Sequence, residues 1–427
     1  MKRTLQIISL RRRVGKFLLR RSLAGRKVGR DVTSRPPDEL ILRLDEVFRS
    51  LRLSDSWRSR FYTDLRLWIV GEQHHSVVTS ALRGIEPDPK WIPEQAFVIA
   101  QVCSALGLFE VALGFEQWAV HRIRQTYKSP RSRTDFIELI QVAIHSADLD
   151  TATEFSRRLT VSLSGQSSVP FSIRDLVNYV EVWGGGPTSL DRTSSQNVEQ
   201  EDRWERIIRN QQVVIYGPGM VDPTHRRFTD GELIARVAGP GSFTWHDAQD
   251  LAGGRADLVY LIPETLESIV SADGQSQAIL EAYGMICVKK SMPLYLPNAR
   301  QVEPGSRLYL RGHPNMVPLI CVDLIRLPGT TGYVVGSDFF SSQSSYRPES
   351  RRVDRLGAPQ TAQGSSGRPF DRTTLMASHN AFQNRRIVVN LVDSGRISGD
   401  DNFLSACALS DLDYARRLDF FYGQHKI

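Results

Sequence analysis

Apolar residues recur every three or four positions from residue 38 to about 165, as in Leu40, Leu44, Val47 and Phe48. That spacing predicts amphipathic helices throughout this stretch. Asp38-Glu39, just after Pro36-Pro37, is a favourable first helical turn. Two pieces of the stretch resemble each other, Ala105 to Ala112 and His145 to Ala152. Each places a small residue at a turn between two helices and an alanine one turn into the second. Beyond Trp204 the apolar runs shorten and alternate with helical stretches, the pattern of an α/β domain. The expected strands are 213–216, 233–237, 257–262, 284–288, 307–310 and 332–336. Between the two regions, Gly184-Gly185-Gly186-Pro187 and the polar run to Asp202 read as a linker. The expected organisation is a tail at 1–35, a helical-hairpin domain at 36–165, a linker at 166–203 and an α/β domain of Rossmann-like type at 204–427.

The stretch from Gln211 to Gly241 is the most informative. Val213-Val214-Ile215-Tyr216 has the length and composition of a buried strand and runs into Gly217-Pro218-Gly219. A second apolar run, Leu233 to Val237, ends in Gly239-Pro240-Gly241. Glycine lets backbone approach a ligand closely, and strand followed by glycine turn is how open α/β sheets build nucleotide crevices. Two tight turns in any α/β domain would read the same way. Ser341 to Thr374 is rich in Ser, Arg, Gly and Pro, and reads as a mobile flap beside the crevice.

Charge changes the picture at one place. The formal net charge is +7. Residues 1–30 hold eleven Lys and Arg and no Asp or Glu, so the remaining chain is slightly acidic. The basicity belongs to a tail, which argues against a nucleic-acid partner. Ile7, Leu10, Val14, Phe17 and Leu18 fall at helical spacing among the arginines. That pattern suits a helix on an anionic membrane surface; an organelle transit peptide or a solvated tail has the same composition. No apolar run approaches the ~20 residues of a membrane span. Four scattered cysteines form no CxxC, which fits a reducing compartment. A cytoplasmic protein, peripheral to the inner membrane through its tail, is the expectation.

The paired helices look like the helix-turn-helix unit of tetratricopeptide repeats, although Ala112 to Ala152 spans 40 residues against about 34 in that family. The resemblance implies a protein partner on a concave face. In the α/β region, four blocks occur in a particular order. They are the opening glycine turn; Asp250 to Thr265; Gly312-His313-Pro314-Asn315 with Tyr333 to Phe340; and His379 to Asn384 with Gly395-Arg396-Ile397. This order resembles the sialyltransferases of the animal type and their bacterial relatives, over roughly residues 204–400. In that family a glycine-containing nucleotide turn leads to a strand carrying Val-Arg and then asparagine, here Phe228 to Ala238. A small-residue turn, a helix and a strand end follow, and then a histidine five residues before a glutamate. His379 and Asn384 occupy those last two places. Ala238 replaces the asparagine, His313-Pro314-Asn315 replaces a Ser-Thr-Gly turn, Asn384 replaces the glutamate, and the family's cysteine pair is missing.

The resemblance implies a glycosyltransferase with a nucleotide-sugar donor, CMP-linked and carrying sialic acid or Kdo, a glycan or glycolipid acceptor, and no separate cofactor. His379 is then the expected base. His313 is then expected to hydrogen-bond the leaving phosphate or to act as an acid there. Gly217, Pro218 and Gly219 would contact the nucleotide through their backbone, with Arg236, Asn315 and Asp338 as further polar contacts. Each has a plainer reading: a helix-start histidine, a turn-shaping histidine, an internal ion pair for Arg236, a cap for Asp338. The only two D-x-D triplets, Asp148-Leu149-Asp150 and Asp411-Leu412-Asp413, fall in helical stretches, so no metal is expected. A non-catalytic helical scaffold with a degenerate nucleotide domain is the alternative from another class. A methyltransferase shares the glycine turn but lacks an evident acidic residue closing the next strand.

Overall fold

The structure is a computed structural model. It describes residues 38–69, 72–85, 91–127, 130, 132–163, 171–186, 198–217, 232–238, 256–261, 266, 284–289, 298–302, 308–341, 376–377 and 379–423. The basic tail, Pro218 and Gly219, the second Gly-Pro-Gly turn and the expected flap beyond Ser341 lie outside the described residues.

Nine helices precede the first strand among the described residues: α1 (Asp38–Ser50), α2 (Asp55–Ile69), α3 (His75–Arg83), α4 (Pro93–Ala105), α5 (Phe109–Thr126), α6 (Arg133–His145), α7 (Leu149–Leu163), α8 (Phe171–Trp183) and α9 (Val198–Ile208). The two resembling pieces are the turns of two helical hairpins, α4–α5 and α6–α7. Each reverses through one left-handed residue, Gly107 at φ 76° and Ala147 at φ 53°. Ala112 and Ala152 are fully buried where the paired helices cross. A larger side chain there would push the helices apart.

Among the described residues seven strands form one all-parallel sheet in the order β5-β4-β3-β2-β1-β6-β7. They are β1 (Gln212–Tyr216), β2 (Leu233–Ala238), β3 (Leu258–Leu261), β4 (Met285–Lys289), β5 (Ala299–Val302), β6 (Thr331–Val335) and β7 (Ile397–Gly399). α10 (Met316–Ile325) leads into β6 and α11 (Ala381–Asp393) into β7. α12 (Asp401–Ala408), α13 (Asp411–Leu418) and a π-helical turn (Asp419–Gly423) close the chain.

The strands are apolar on both faces, as parallel strands buried between layers must be. Alternation assigns the faces. Val213, Ile215, Ala235, Leu258, Tyr260, Met285, Cys287 and Val334 join a core that runs without a break into the N-terminal helices. Val214, Tyr216, Ile234, Val335, Val259, Leu261, Ile286 and Val288 face the other way. α10 and α11 pack on the first face, where α11 also meets α6 and α8. Hydrogen bonds reinforce that seam: Tyr179 Oη donates to the Ile387 carbonyl at 2.8 Å, and Gln141 Nε2 to the Tyr309 carbonyl at 3.2 Å.

Two sequence expectations need correction. Of the expected strand 307–310, the described residues Leu308 to Leu310 are not a strand. Leu308, Tyr309 and Leu310 are buried, but they lie in an irregular turn, where the Tyr309 carbonyl pairs with Gln141 instead of a neighbouring strand. The two edge strands, Ala299–Val302 and Ile397–Gly399, were not among those expected; the first carries the fully buried Arg300. That charge disguised it. Arg300 lies over the Trp204 ring at 3.7 Å and pairs with Glu201 and Asp323. The second correction concerns the linker. The 166–203 stretch holds α8 and the start of α9, both packed into the shared core through Tyr179 and, one residue beyond the stretch, Trp204. The glycine run is the end of α8: Gly185 has φ 76°, and the Gly186 N–H returns to the Glu181 carbonyl at 2.8 Å, a helix-terminating motif.

Candidate functional site

In a parallel sheet the chain reverses direction of travel at one place, and ligands bind where the two halves part, at the strands' carboxyl ends. Here that place is between β1 and β6. Gly217 leaves β1 with its N–H on the Val335 carbonyl at 2.8 Å. A Cβ on Gly217 would stand 2.5 Å from the Gly336 oxygen and 2.9 Å from Ser337 Cβ. Only glycine fits this approach. The turn after β6 is strained: Gly336, Phe339 and Phe340 all have positive φ, at 67°, 50° and 67°. Asp338 holds it, its Oδ1 accepting the Phe340 N–H at 2.9 Å, while Asp400 Oδ2 accepts the Gly336 N–H at 2.8 Å. Asp338 therefore braces its own turn through that oxygen.

The helices that lead into β6 and β7 run opposite to the strands, so both begin at the same carboxyl edge. His313 and Asn315 precede α10, and His379 precedes α11. The structure brings them together. His379 Nδ1 lies 3.0 Å from the His313 carbonyl oxygen. A carbonyl only accepts, so Nδ1 carries the proton and Nε2 keeps a lone pair. Gly312, at φ 94°, permits the approach. A Cβ there would stand 2.9 Å from both Asn380 Cβ and the His379 carbonyl carbon.

Asn384 pins the arrangement from one turn into α11. Its Nδ2 shares two hydrogens among three carbonyls, those of His313 and Asn380, each at 3.1 Å, and that of His379. Its Oδ1 accepts the Asn315 N–H at 2.7 Å and the Tyr309 hydroxyl at 3.3 Å. An amide, donor on one side and acceptor on the other, meets this demand; a carboxylate could not donate. Asn315 is the N-cap of α10 but makes no side-chain capping bond there.

Sequence reasoning passed over Lys289. It ends β4, is 9% exposed, and its Nζ donates to the Pro314 carbonyl at 2.5 Å. A charged residue closing an otherwise apolar strand, Met-Ile-Cys-Val-Lys, was the available signal. Loss of water and then the Lys289 ammonium push the His379 pKa down from 6.5 to about 3, against the opposing pull of the hydrogen bond to the His313 carbonyl. The imidazole is neutral at physiological pH.

Arg236 is placed apart from the histidines. It lies on β2 beside Tyr216, its guanidinium 5.5 Å from that ring's centroid, on the sheet face away from α10 and α11. One carboxylate of each D-x-D triplet is engaged elsewhere. Asp148 Oδ1 accepts the Thr151 N–H at 3.1 Å, and Asp411 pairs with Arg385 and Arg386. Among the described residues no group of three or more His, Cys, Asp or Glu side chains is arranged to hold a metal ion. The four cysteines are free and buried. No described helix is long and apolar enough to cross a membrane.

The chain matches no family model, no curated protein and no solved structure.

Proposed function

We propose that this chain is a glycosyltransferase that moves a sugar from a CMP-linked donor, such as sialic acid or Kdo, to a glycan or lipid-linked acceptor without a metal. The observation that carries the reading is the His379–His313 contact at the sheet's carboxyl edge, with the His379 tautomer fixed and a buried ammonium beside it. In the proposed step the acceptor hydroxyl gives its proton to His379 Nε2 as its oxygen bonds the anomeric carbon. The bond from that carbon to the phosphate oxygen breaks, and CMP leaves as the phosphate. A single displacement inverts the configuration. Lys289 and the His313 ring would stabilise charge growing on the phosphate. The Gly217 turn, where no side chain intervenes, would take the nucleotide, with Asn315 at the start of α10. An anion next to Lys289 would offset its charge and raise the His379 pKa toward a useful value, tying basicity to donor binding. The basic tail would hold the enzyme beside lipid-linked acceptors at an anionic cytoplasmic surface.

One observation favours a second reading. A base near pKa 3 is weak, and a non-catalytic scaffold with a residual nucleotide fold has no need of a stronger one. Calorimetry of the full chain with CMP, UDP, GDP and S-adenosylmethionine separates the readings. Selective binding of CMP supports the transferase; preference for S-adenosylmethionine or no binding at all removes it.

A further inference from the structure

The helical layer reaches the histidine site directly. Glu116, on α5, is 3% exposed, and its Oε1 accepts the Asn380 Nδ2 at 2.7 Å across 264 positions of sequence. His145, on α6 and 8% exposed, places Nε2 3.6 Å from the same oxygen. A buried carboxyl is expensive, and burial raises the Glu116 pKa. Apolar residues could fill the space at lower cost, so the carboxyl's contact with Asn380 calls for a use.

Asn380 is the residue after His379 and has φ 49°, a left-handed conformation that asparagine adopts more readily than other side chains but that its contacts must still select. Both ends of its side chain are held. Oδ1 caps α11 by accepting the Gln383 N–H at 3.0 Å, and Nδ2 reaches Glu116. Its carbonyl receives Asn384 Nδ2 at 3.1 Å. A turn at residue 380 swings His379 relative to α11, and with it the ring's bond to His313.

We propose that Glu116 is a positioning residue for His379, holding Asn380 in the left-handed conformation so that the imidazole keeps its proton on Nδ1 and presents Nε2 to the crevice. The helical layer then completes the site as well as packing against it. The catalytic part of this inference rests on the transferase reading; the structural part does not.

The experiment uses the full chain and two readouts. Nitrogen-15 spectra of the histidines report the His379 tautomer without any substrate, assigned by its loss in His379→Gln. Turnover with the CMP-sugar selected by binding is measured separately. Glu116→Ala is expected to replace the single Nδ1–H signature with a mixture of tautomers and to lower kcat by about 100-fold at nearly unchanged KM. Glu116→Gln keeps the acceptor oxygen and should restore both. A fixed tautomer in a folded Glu116→Ala protein overturns the proposal. Should that variant fail to fold, Asn380→Ala and Asn380→Gly decide. Both lose the Glu116 contact, but glycine takes positive φ freely, so only alanine should scramble the tautomer; identical spectra overturn the proposal. A Glu116-dependent tautomer in a wild-type protein that transfers nothing would sink the transferase reading and leave the positioning role standing.

Discussion

His379 and His313 meet through one side chain and one main chain: the imidazole Nδ1 of the first lies 3.0 Å from the carbonyl oxygen of the second. The contact leaves Nε2 as the one nitrogen of His379 able to accept a proton. His379→Gln is therefore expected to lower transfer at least 100-fold, within the range general-base removal produces, while circular dichroism and nucleotide affinity stay near wild type. Full turnover in that variant would remove His379 from the chemistry.

The same ring makes a prediction about acid. Its folded pKa, about 3, lies below the ordinary 6.5. The unfolded chain thus binds a proton that the folded chain refuses between those values. The stability contribution is complete above 6.5 and is lost as pH falls toward 3. Urea denaturation at pH 7 and pH 4.5 should show a loss that His379→Gln reduces.

Asn384→Asp keeps shape but replaces a donor with an acceptor facing the carbonyls of His313, His379 and Asn380. The residue is 1% exposed. A loss of about 2–4 kcal/mol is expected from setting a buried carboxylate against carbonyl oxygens that it cannot donate to. Asn384→Glu, the residue the sialyltransferase pattern has here, should be no better, since it also donates nothing when ionised. Chemical denaturation midpoints check both.

Gly312→Ala adds a methyl to a residue at φ 94° with Asn380 and the His379 carbonyl carbon 2.9 Å away. Destabilisation of more than about 1 kcal/mol is expected, accompanied by loss of the His379 tautomer signature. A Gly312→Ala protein with unchanged midpoint and spectrum would contradict the close approach.

Asp419 caps α5 from the far end of the chain. Its two oxygens accept the Phe109 and Glu110 N–H groups at 2.6 and 2.9 Å, and the helix's own N-cap, Leu108, has no side chain to do so. Asp419→Ala should cost about 1–2 kcal/mol. Burial outweighs those two bonds and lifts the Asp419 pKa from 3.8 to about 7. With the folded value raised, its pH-linked contribution is greatest below 3.8 and declines as pH rises through 7. Asp419→Asn should flatten stability between pH 5 and pH 8.

The parts of the fold legible in the sequence were those whose signal is local. The helix spacing, the hairpin alanines and five of the strand runs needed only neighbouring residues. The edge strand 299–302 was missed because Arg300 looks like a surface residue; its partners Glu201, Asp323 and Trp204 are remote in sequence. Gly185 looked like linker because a helix cap and a flexible joint use the same residue. At the site, the motif positions His313, Asn315 and His379 pointed to one place, but Asn384 read as a defect. Its value depends on three carbonyls that only the folded chain assembles. Glu116 was invisible for the same reason, and Lys289 left only a charge at the end of an apolar strand, since nothing local marks which buried charge stands beside an imidazole.

Because all seven strands run the same way, every segment that leaves a strand tip emerges at one rim. The segments after β1, β5 and β6 thus carry Gly217, His313 and His379, far apart in sequence, to a shared edge of the sheet. Under the transferase reading, selectivity would change through rim positions other than Gly312, His313 and His379, with the sheet left constant.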